Sequence, residues 1–348
     1  MMAVKAVNNN RKTIIRKETI MKQFVKVFCL MAVVALAFTS CKKSDQKAVS
    51  FNGATQQFVV EDDGSKAYID DAYYMNFEQG DVVKLFNISS TPSNSECADY
   101  SATSSGQHVI FQAVGNMAVQ TKGSFYGFYP AETVTPNLSN ENRATFTLRE
   151  EQVYREINGK PAISRGDLYM AAKVDDVQNI TDADFYFQNI CGILSLKYYD
   201  TKSNEPWVIK SITVYDKHFN LTGDVNLKVD KVTTEGLVAL CEAYNPANPA
   251  ATAAEIANYK DEIGYNVTNA GDHVTLTFGS EGFALSQDAN NPSRFFFVLR
   301  PLALSHGYRV VVTDMNDDEY EVVNSNTNKK IKPNTIIGNS AKDLKNYH

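Results

Sequence analysis

The sequence predicts an all-β protein of the β-sandwich kind, and three observations carry that expectation. Short apolar runs recur at close spacing from about residue 50 onward, the apolar residues inside them alternate with polar ones, and only one segment carries a helical pattern. The runs read "DVVKLFN", "HVIFQAV", "SFYGFYP", "ATFTLRE", "DFYFQN", "GILSLKYYD", "VIKSITVYD", "DHVTLTF", "RFFFVLRPL", "YRVVVTD" and "EYEVVN". Phe146 with Leu148, Ile212 with Val214, and Val274 with Leu276 and Phe278 give the period of two expected of strands buried on one face. Asn, Asp, Gly and Pro punctuate the runs with turn chemistry. The helical exception is 248–263, alanine-rich with Ile256, Tyr259 and Ile263 at helical offsets and Pro249 suited to a helix start; it reads as a loop insertion.

Ahead of the strands lies an address. The apolar run Val27 to Phe38 is 12 residues long, against roughly 20 needed to cross a bilayer. Lys22 and Lys26 precede it, Thr39 and Ser40 follow it, and Cys41 stands next, with Phe38 where a leucine is commonest. That is the layout of a secretory signal ending in a lipobox, so Cys41 is expected to take diacylglyceryl and palmitate as the first residue of a lipoprotein. A complete signal starts at Met21, which makes Met21 the expected true start and residues 1–20 an upstream mis-start. The expected organisation is a signal over 1–40, a lipidated tether over 41–50, and two sandwiches over 51–178 and 179–348. The acidic stretch "KVDDVQNITDAD", 173–184, is the boundary candidate between them. About 308 mature residues exceed what one hydrophobic core usually serves, which is the reason for two domains.

Charge and cysteine usage exclude several classes. The first 40 residues hold 7 of the 34 basic and 1 of the 40 acidic residues, leaving 27 against 39, a net of −12. Nucleic-acid binding depends on Lys and Arg neutralising phosphates, so no nucleic-acid partner is expected. Cys29 leaves with the signal and Cys41 takes the lipid. Cys97, Cys191 and Cys241 remain, an odd and widely spaced set that implies no disulfide framework; one bridge or free thiols are both open.

No motif carries catalysis. There is no Gly-x-Ser-x-Gly elbow, and the five histidines (His108, His218, His273, His306, His348) do not fall at metal-ligand spacing, so neither metal nor cofactor is expected. Asp314, Asn316 and Asp318 open like a calcium loop, but Glu319 and Ser325 occupy the positions that need glycine and glutamate, so a hairpin turn is the better reading. The aromatic clusters "YGFYP" (126–130) and "RFFFVL" (294–299) are read as core strands rather than sugar-stacking platforms.

The order of segments "SFYGFYPAE" (124–132), "LYMAAKVDD" (168–176), "FYFQNICGILSLKY" (185–198), "FFFVLRPLALSHGYRVVVTDMNDDEYEVVN" (295–324) and "IKPNTII" (331–337) resembles the fimbrillin family of Bacteroidales lipoproteins. The resemblance implies two tandem transthyretin-like β-sandwich domains and a non-enzymatic role as shaft, anchor or tip subunit of a cell-surface fimbrium on the outer membrane. It also implies strand exchange: a trypsin-like protease removes the lipidated first strand, and a neighbour's C-terminal strand fills the groove, satisfying its unpaired backbone and apolar pockets. Carried onto this chain, the removable strand is roughly 49–60, the linker 61–70, the cleaved bond follows Lys66, and the donor lies within 334–348. The partners implied are other fimbrial subunits, the membrane through the lipid on Cys41, and host or bacterial surface ligands. The linker offers lysine, since no arginine stands between Cys41 and Arg143, so a lysine-tolerant protease is required; an uncleaved chain would serve as an anchor. The alternative reading is a non-polymerising surface lipoprotein that binds a glycan or host ligand.

Overall fold

A computed structural model describes residues 50–61, 75–88, 96–115, 118–133, 135–137, 143–157, 159–202, 204–216, 221–228, 266–304, 307–325 and 329–348. Cys41, Lys66, Cys241 and the segment 248–263 expected to be helical lie outside the described residues. The strands of the first part are β1 (Ser50–Thr55), β2 (Val59–Glu61), β3 (Val82–Ile88), β4 (Glu96–Ala102), β5 (His108–Ala113), β6 (Gly123–Tyr129), β7 (Thr135–Asn137), β8 (Arg143–Leu148), β9 (Glu151–Val153), β10 (Arg155–Ile157), β11 (Lys160–Ala162), β12 (Met170–Val177) and β13 (Asp184–Asn189). Those of the second are β14 (Gly192–Tyr199), β15 (Val208–Asp216), β16 (Gly223–Lys228), β17 (Asn266–Thr268), β18 (His273–Thr277), β19 (Phe283–Ala284), β20 (Ser293–Leu299), β21 (Leu302–Leu304), β22 (Tyr308–Asp314), β23 (Glu319–Ser325), β24 (Lys329–Ile331), β25 (Thr335–Gly338) and β26 (Lys342–Asp343). Helix is confined, among the described residues, to three-residue 3-10 turns at Ala131–Thr133, Arg165–Asp167 and Ile180–Asp182. The all-β expectation is met.

The first sheet closes on itself in the order β1-β13-β12-β6-β3-β4-β5. Inward residues of its strands, with Phe77 from the segment ahead of β3, fill it with aromatic rings: Phe51, Phe77, Tyr100, Phe111, Phe125, Phe185 and Phe187 are all essentially inaccessible. Closure leaves the barrel without an unpaired edge. The second core lies between two sheets. One runs β2-β25-β14-β20 with β26 also on β14, the other β23-β22-β15-β18-β9 with β19 also on β15. Leu194 and Leu196 of β14, Phe295 and Phe297 of β20, Ile212 and Val214 of β15, and Val310 and Val312 of β22 meet between them, the arrangement of a β-sandwich. A third cluster around Phe86, Phe128, Phe146, Tyr169, Cys191 and Val225 joins the two, with the sheet β17-β16-β8-β7 beside it.

Strand pairing crosses the expected division at 178/179 in both directions. The stretch 173–184 runs from β12 to β13, and both are barrel strands, so it lies inside the first sheet. β8 and β9 precede the division yet pair with β16 and β18. An acidic, turn-rich sequence marks any exposed connection, within a domain as readily as between two.

Both aromatic clusters are core: Tyr126, Phe128 and Tyr129, like Phe295 and Phe297, are buried. The Asp314 turn is a hairpin between β22 and β23. The Asp314 Oδ1 accepts from the backbone N–H groups of Asn316 at 2.8 Å and Asp318 at 3.0 Å, so its carboxylate is committed to holding the turn.

Candidate functional site

The segment expected to be removable is two strands in two different sheets, a correction to the reading of 49–60 as one removable strand. β1 lies in the barrel between β5, which it meets antiparallel, and β13, which it meets parallel. Gln56, bonded through its N–H to the Phe187 carbonyl at 2.9 Å, then carries the chain out of the barrel. β2 pairs in parallel with β25, at the edge of the sandwich sheet. Phe51 and Phe58, an odd number of residues apart, face different cores because of this change of sheet.

Within the barrel, β1 supplies one large side chain. The Phe51 ring sits 4.7 Å from that of Phe185, 5.1 Å from Tyr100 and 5.2 Å from Phe111. Burying a Phe this fully stabilises a core by about 3–5 kcal/mol relative to alanine. Two residues on, Gly53 points at the same core, where a Cβ would lie 2.5 Å from the Phe111 ring. The Thr55 hydroxyl donates to the Met75 carbonyl at 2.6 Å.

The candidate donor segment is seated in its own sandwich. β25 lies between β2 and β14, parallel to both, with Ile336 and Ile337 buried. Asn334, at φ +51°, turns the chain into it. Its Nδ2 donates to the Gln57 carbonyl at 2.9 Å and its Oδ1 accepts from the Asn189 N–H at 3.3 Å. Further on, β26 pairs with β14, the Asp343 carboxylate accepts from the Thr201 hydroxyl at 2.6 Å, and Leu344 is buried. The His348 ring stacks on Trp207 at 4.1 Å with 16° between planes, its Nε2 3.1 Å from Oδ2 of buried Asp200. A cavity of about 330 Å³ opens where barrel and sandwich meet, walled by Phe58, Met75, Tyr129, Ile163, Phe296 and Ile336.

Other chemistry is sparse. Among the described residues no three His, Cys, Asp or Glu side chains are grouped to hold a metal. Cys97 and Cys191 are free thiols. Burial pushes the Cys191 thiol up, and burial likewise raises Cys97, against the pull of Lys84. Asp167 is 4 % exposed inside the 3-10 turn Arg165–Asp167, so its carboxylate is not presented to a partner. Burial raises that carboxyl to about 6, with Arg149 opposing.

The two sequence-expected site residues, Cys41 and Lys66, lie outside the described residues. Sequence reasoning missed Phe111, Asn334 and the pair Trp207–His348. A glycine inside a strand pattern, Gly53, was a legible signal of close approach. Nothing in sequence spacing links Asn334 to Gln57 or His348 to Trp207.

No protein-family model matches the chain, and no curated protein does. Among solved structures, a "putative cell adhesion protein" from Bacteroides ovatus aligns over 88 % of this chain and 95 % of its own, with a TM-score of 0.52 at 10 % identity. Another of the same description from Bacteroides uniformis aligns over 85 % and 92 %, with a TM-score of 0.45 at 12 % identity. A fimbrial protein from Bacteroides ovatus aligns over 85 % of this chain and 49 % of its own, with a TM-score of 0.35 at 12 % identity. The first of these shows that the fold is shared along nearly the whole length.

Proposed function

We propose that this chain is a structural subunit of a cell-surface fimbrium, lipidated at Cys41, carried on the outer membrane and joined to its neighbours by strand exchange. The observation that carries the reading is the position of β1. It is an interior strand of a closed barrel, yet it belongs to the segment nearest the lipid signal and contributes little more than Phe51 to the core. Its removal would leave two unpaired backbone rows and one aromatic-lined slot, which is what an incoming strand needs. The shared fold with a protein described as a cell adhesion protein supports the same reading. Cleavage after Lys66 would mark a polymerising subunit, and an uncleaved chain would serve as the anchor. Mild trypsin treatment of the soluble protein, N-terminal sequencing and size analysis test it: a new terminus at Ala67 with oligomer ladders is the expected result. Cleavage there that leaves a stable monomer would overturn polymerisation.

The seating of β25, buried along its whole length, and of Leu344 just past β26 favours a second reading, because a donor strand must leave and these are core. It is a non-polymerising surface lipoprotein that binds a glycan or host ligand. Unchanged filaments in a deletion strain, with a measured glycan affinity, would decide for it.

A further inference from the structure

We propose that the cavity between barrel and sandwich binds a small anionic amphiphile, a hydrocarbon chain of about ten carbons ending in one carboxylate, with the chain inside and the carboxylate on Arg155 at the mouth. The site is independent of strand exchange and of what happens at Lys66.

The cavity arises because one sheet of the sandwich is apolar on both faces. Leu194 and Leu196 of β14 and Phe295 and Phe297 of β20 point into the sandwich core. Ile193 and Phe296 alternate with them onto the outer face, where Phe58 of the crossing segment and Ile336 of β25 join them. A sandwich sheet commonly gives its outer face to water, so these four buried residues need a cover. The barrel side supplies part of it through Met75, Phe77, Tyr129 and Met170, and the β10–β11 hairpin supplies more through Ala162 and Ile163. The cover leaves about 330 Å³ open, far more than the water-sized voids that packed interiors keep. Met75 and Met170 have unbranched side chains that adapt to the shape of an occupant.

The side chains of the inner wall are almost wholly hydrocarbon. The Tyr129 hydroxyl is the exception, and it donates to Asp81 Oδ1 at 3.1 Å. Polar residues stand at the rim, exposed: Asn76, Glu78 and Ser105 on the barrel side, and Arg155 on the hairpin. An occupant with a polar group along its body would bury that group unpaired, whereas one with an apolar body and a polar end would not. Arg155 lies opposite Ala162 in the hairpin register, and both line the cavity. Among the described residues no ion pair claims its guanidinium, whereas Glu78 is engaged elsewhere. A guanidinium holds a carboxylate through two parallel hydrogen bonds, which fixes the head group.

The hairpin also provides the way in. Its ladder pairs β10 only with β11, so it belongs to neither the barrel nor the sandwich. Its base is pinned: the Gln152 side-chain amide exchanges two hydrogen bonds with the backbone of Val298, at 2.8 and 3.0 Å, and the Ser164 hydroxyl donates to the Val153 carbonyl at 2.7 Å. A hairpin on a fixed base can swing away from Phe296 without breaking a sheet, a local opening rather than an unfolding.

Isothermal titration of the purified soluble protein with decanoate tests the site. Decanoate should bind saturably with a negative heat-capacity change, and decan-1-ol should bind more weakly at the same place. Ala162→Phe and Met75→Trp fill the cavity from its two walls, and each should weaken decanoate by about tenfold or more with the melting temperature kept. Arg155→Gln should weaken decanoate by about tenfold and leave decan-1-ol unchanged. Absence of saturable binding by both probes, or undiminished binding in whichever filled variant folds, overturns the site. Equal losses of decanoate and decan-1-ol in Arg155→Gln, or tighter binding of decyltrimethylammonium than of decanoate, overturns the carboxylate assignment.

Discussion

The Asn334 side-chain amide donates to the backbone carbonyl of Gln57 at 2.9 Å across 277 residues of sequence, tying the turn into β25 to the crossing between β1 and β2. The same side chain receives the Asn189 N–H at the end of β13, and the Asn334 N–H donates to the Cys191 carbonyl at 3.0 Å, so a single residue bonds to the barrel, the crossing segment and the link that leads into β14. Loss of the segment before Glu61 would therefore be felt at β25 through a hydrogen bond as well as through strand pairing.

Asn334→Ala should cost about 2–3 kcal/mol in urea unfolding, from two lost hydrogen bonds and from alanine at φ +51°. Asn334→Gly loses the same bonds without the backbone penalty. The gap between the two, about 1 kcal/mol, isolates the conformational part. Equal stabilities for the two variants would show that the left-handed turn is not what the residue is for.

Asp167 makes stability depend on pH. Its carboxyl, raised by burial to about 6 in the folded chain, has an ordinary value of 3.8 when unfolded. Between those values the folded state holds the proton and the unfolded state does not, so the contribution is full below about pH 4 and is lost as pH rises through about 6. Asp167→Asn should raise the melting temperature by a few degrees at pH 7.5 and change it little at pH 3.5. A variant that is destabilised equally at both values would show that the carboxyl accepts something essential.

His348 should hold the end of the described chain on Trp207. Replacing it with alanine removes the stacked ring, at about 1 kcal/mol. Trp207 is the chain's one tryptophan, 8 % exposed. Its emission should shift to the red in His348→Ala and stay near wild type in His348→Phe, which keeps the stack. The same signal reports on whether the segment from β25 onward leaves the sandwich after cleavage.

Cys41→Ala should release the protein from membranes. On the proposed lipoprotein reading its thiol is the acceptor for the diacylglyceryl group, and anchoring strengthens by about 0.8 kcal/mol per buried CH₂. Phase partition and palmitate labelling read this directly, and a variant that still labels or stays in the detergent phase would end the lipoprotein reading.

The sequence by itself determined the all-β class, the positions of many of the strands and which of their faces are apolar, because the period of two is written in neighbouring residues such as Phe146 and Leu148 on either side of exposed Thr147. It also showed why the Asp314 loop is a turn, since the failed ligand positions are local. The tertiary structure alone decided which sheet each strand joins. Phe51 and Phe58 are seven residues apart and face different cores, and β8 and β9 leave the half of the chain in which they lie to pair with β16 and β18. Backbone pairing is nearly blind to side-chain identity, so partners are chosen by the summed packing of residues far apart in sequence, as at Phe111 against Gly53 or Asn334 against Gln57.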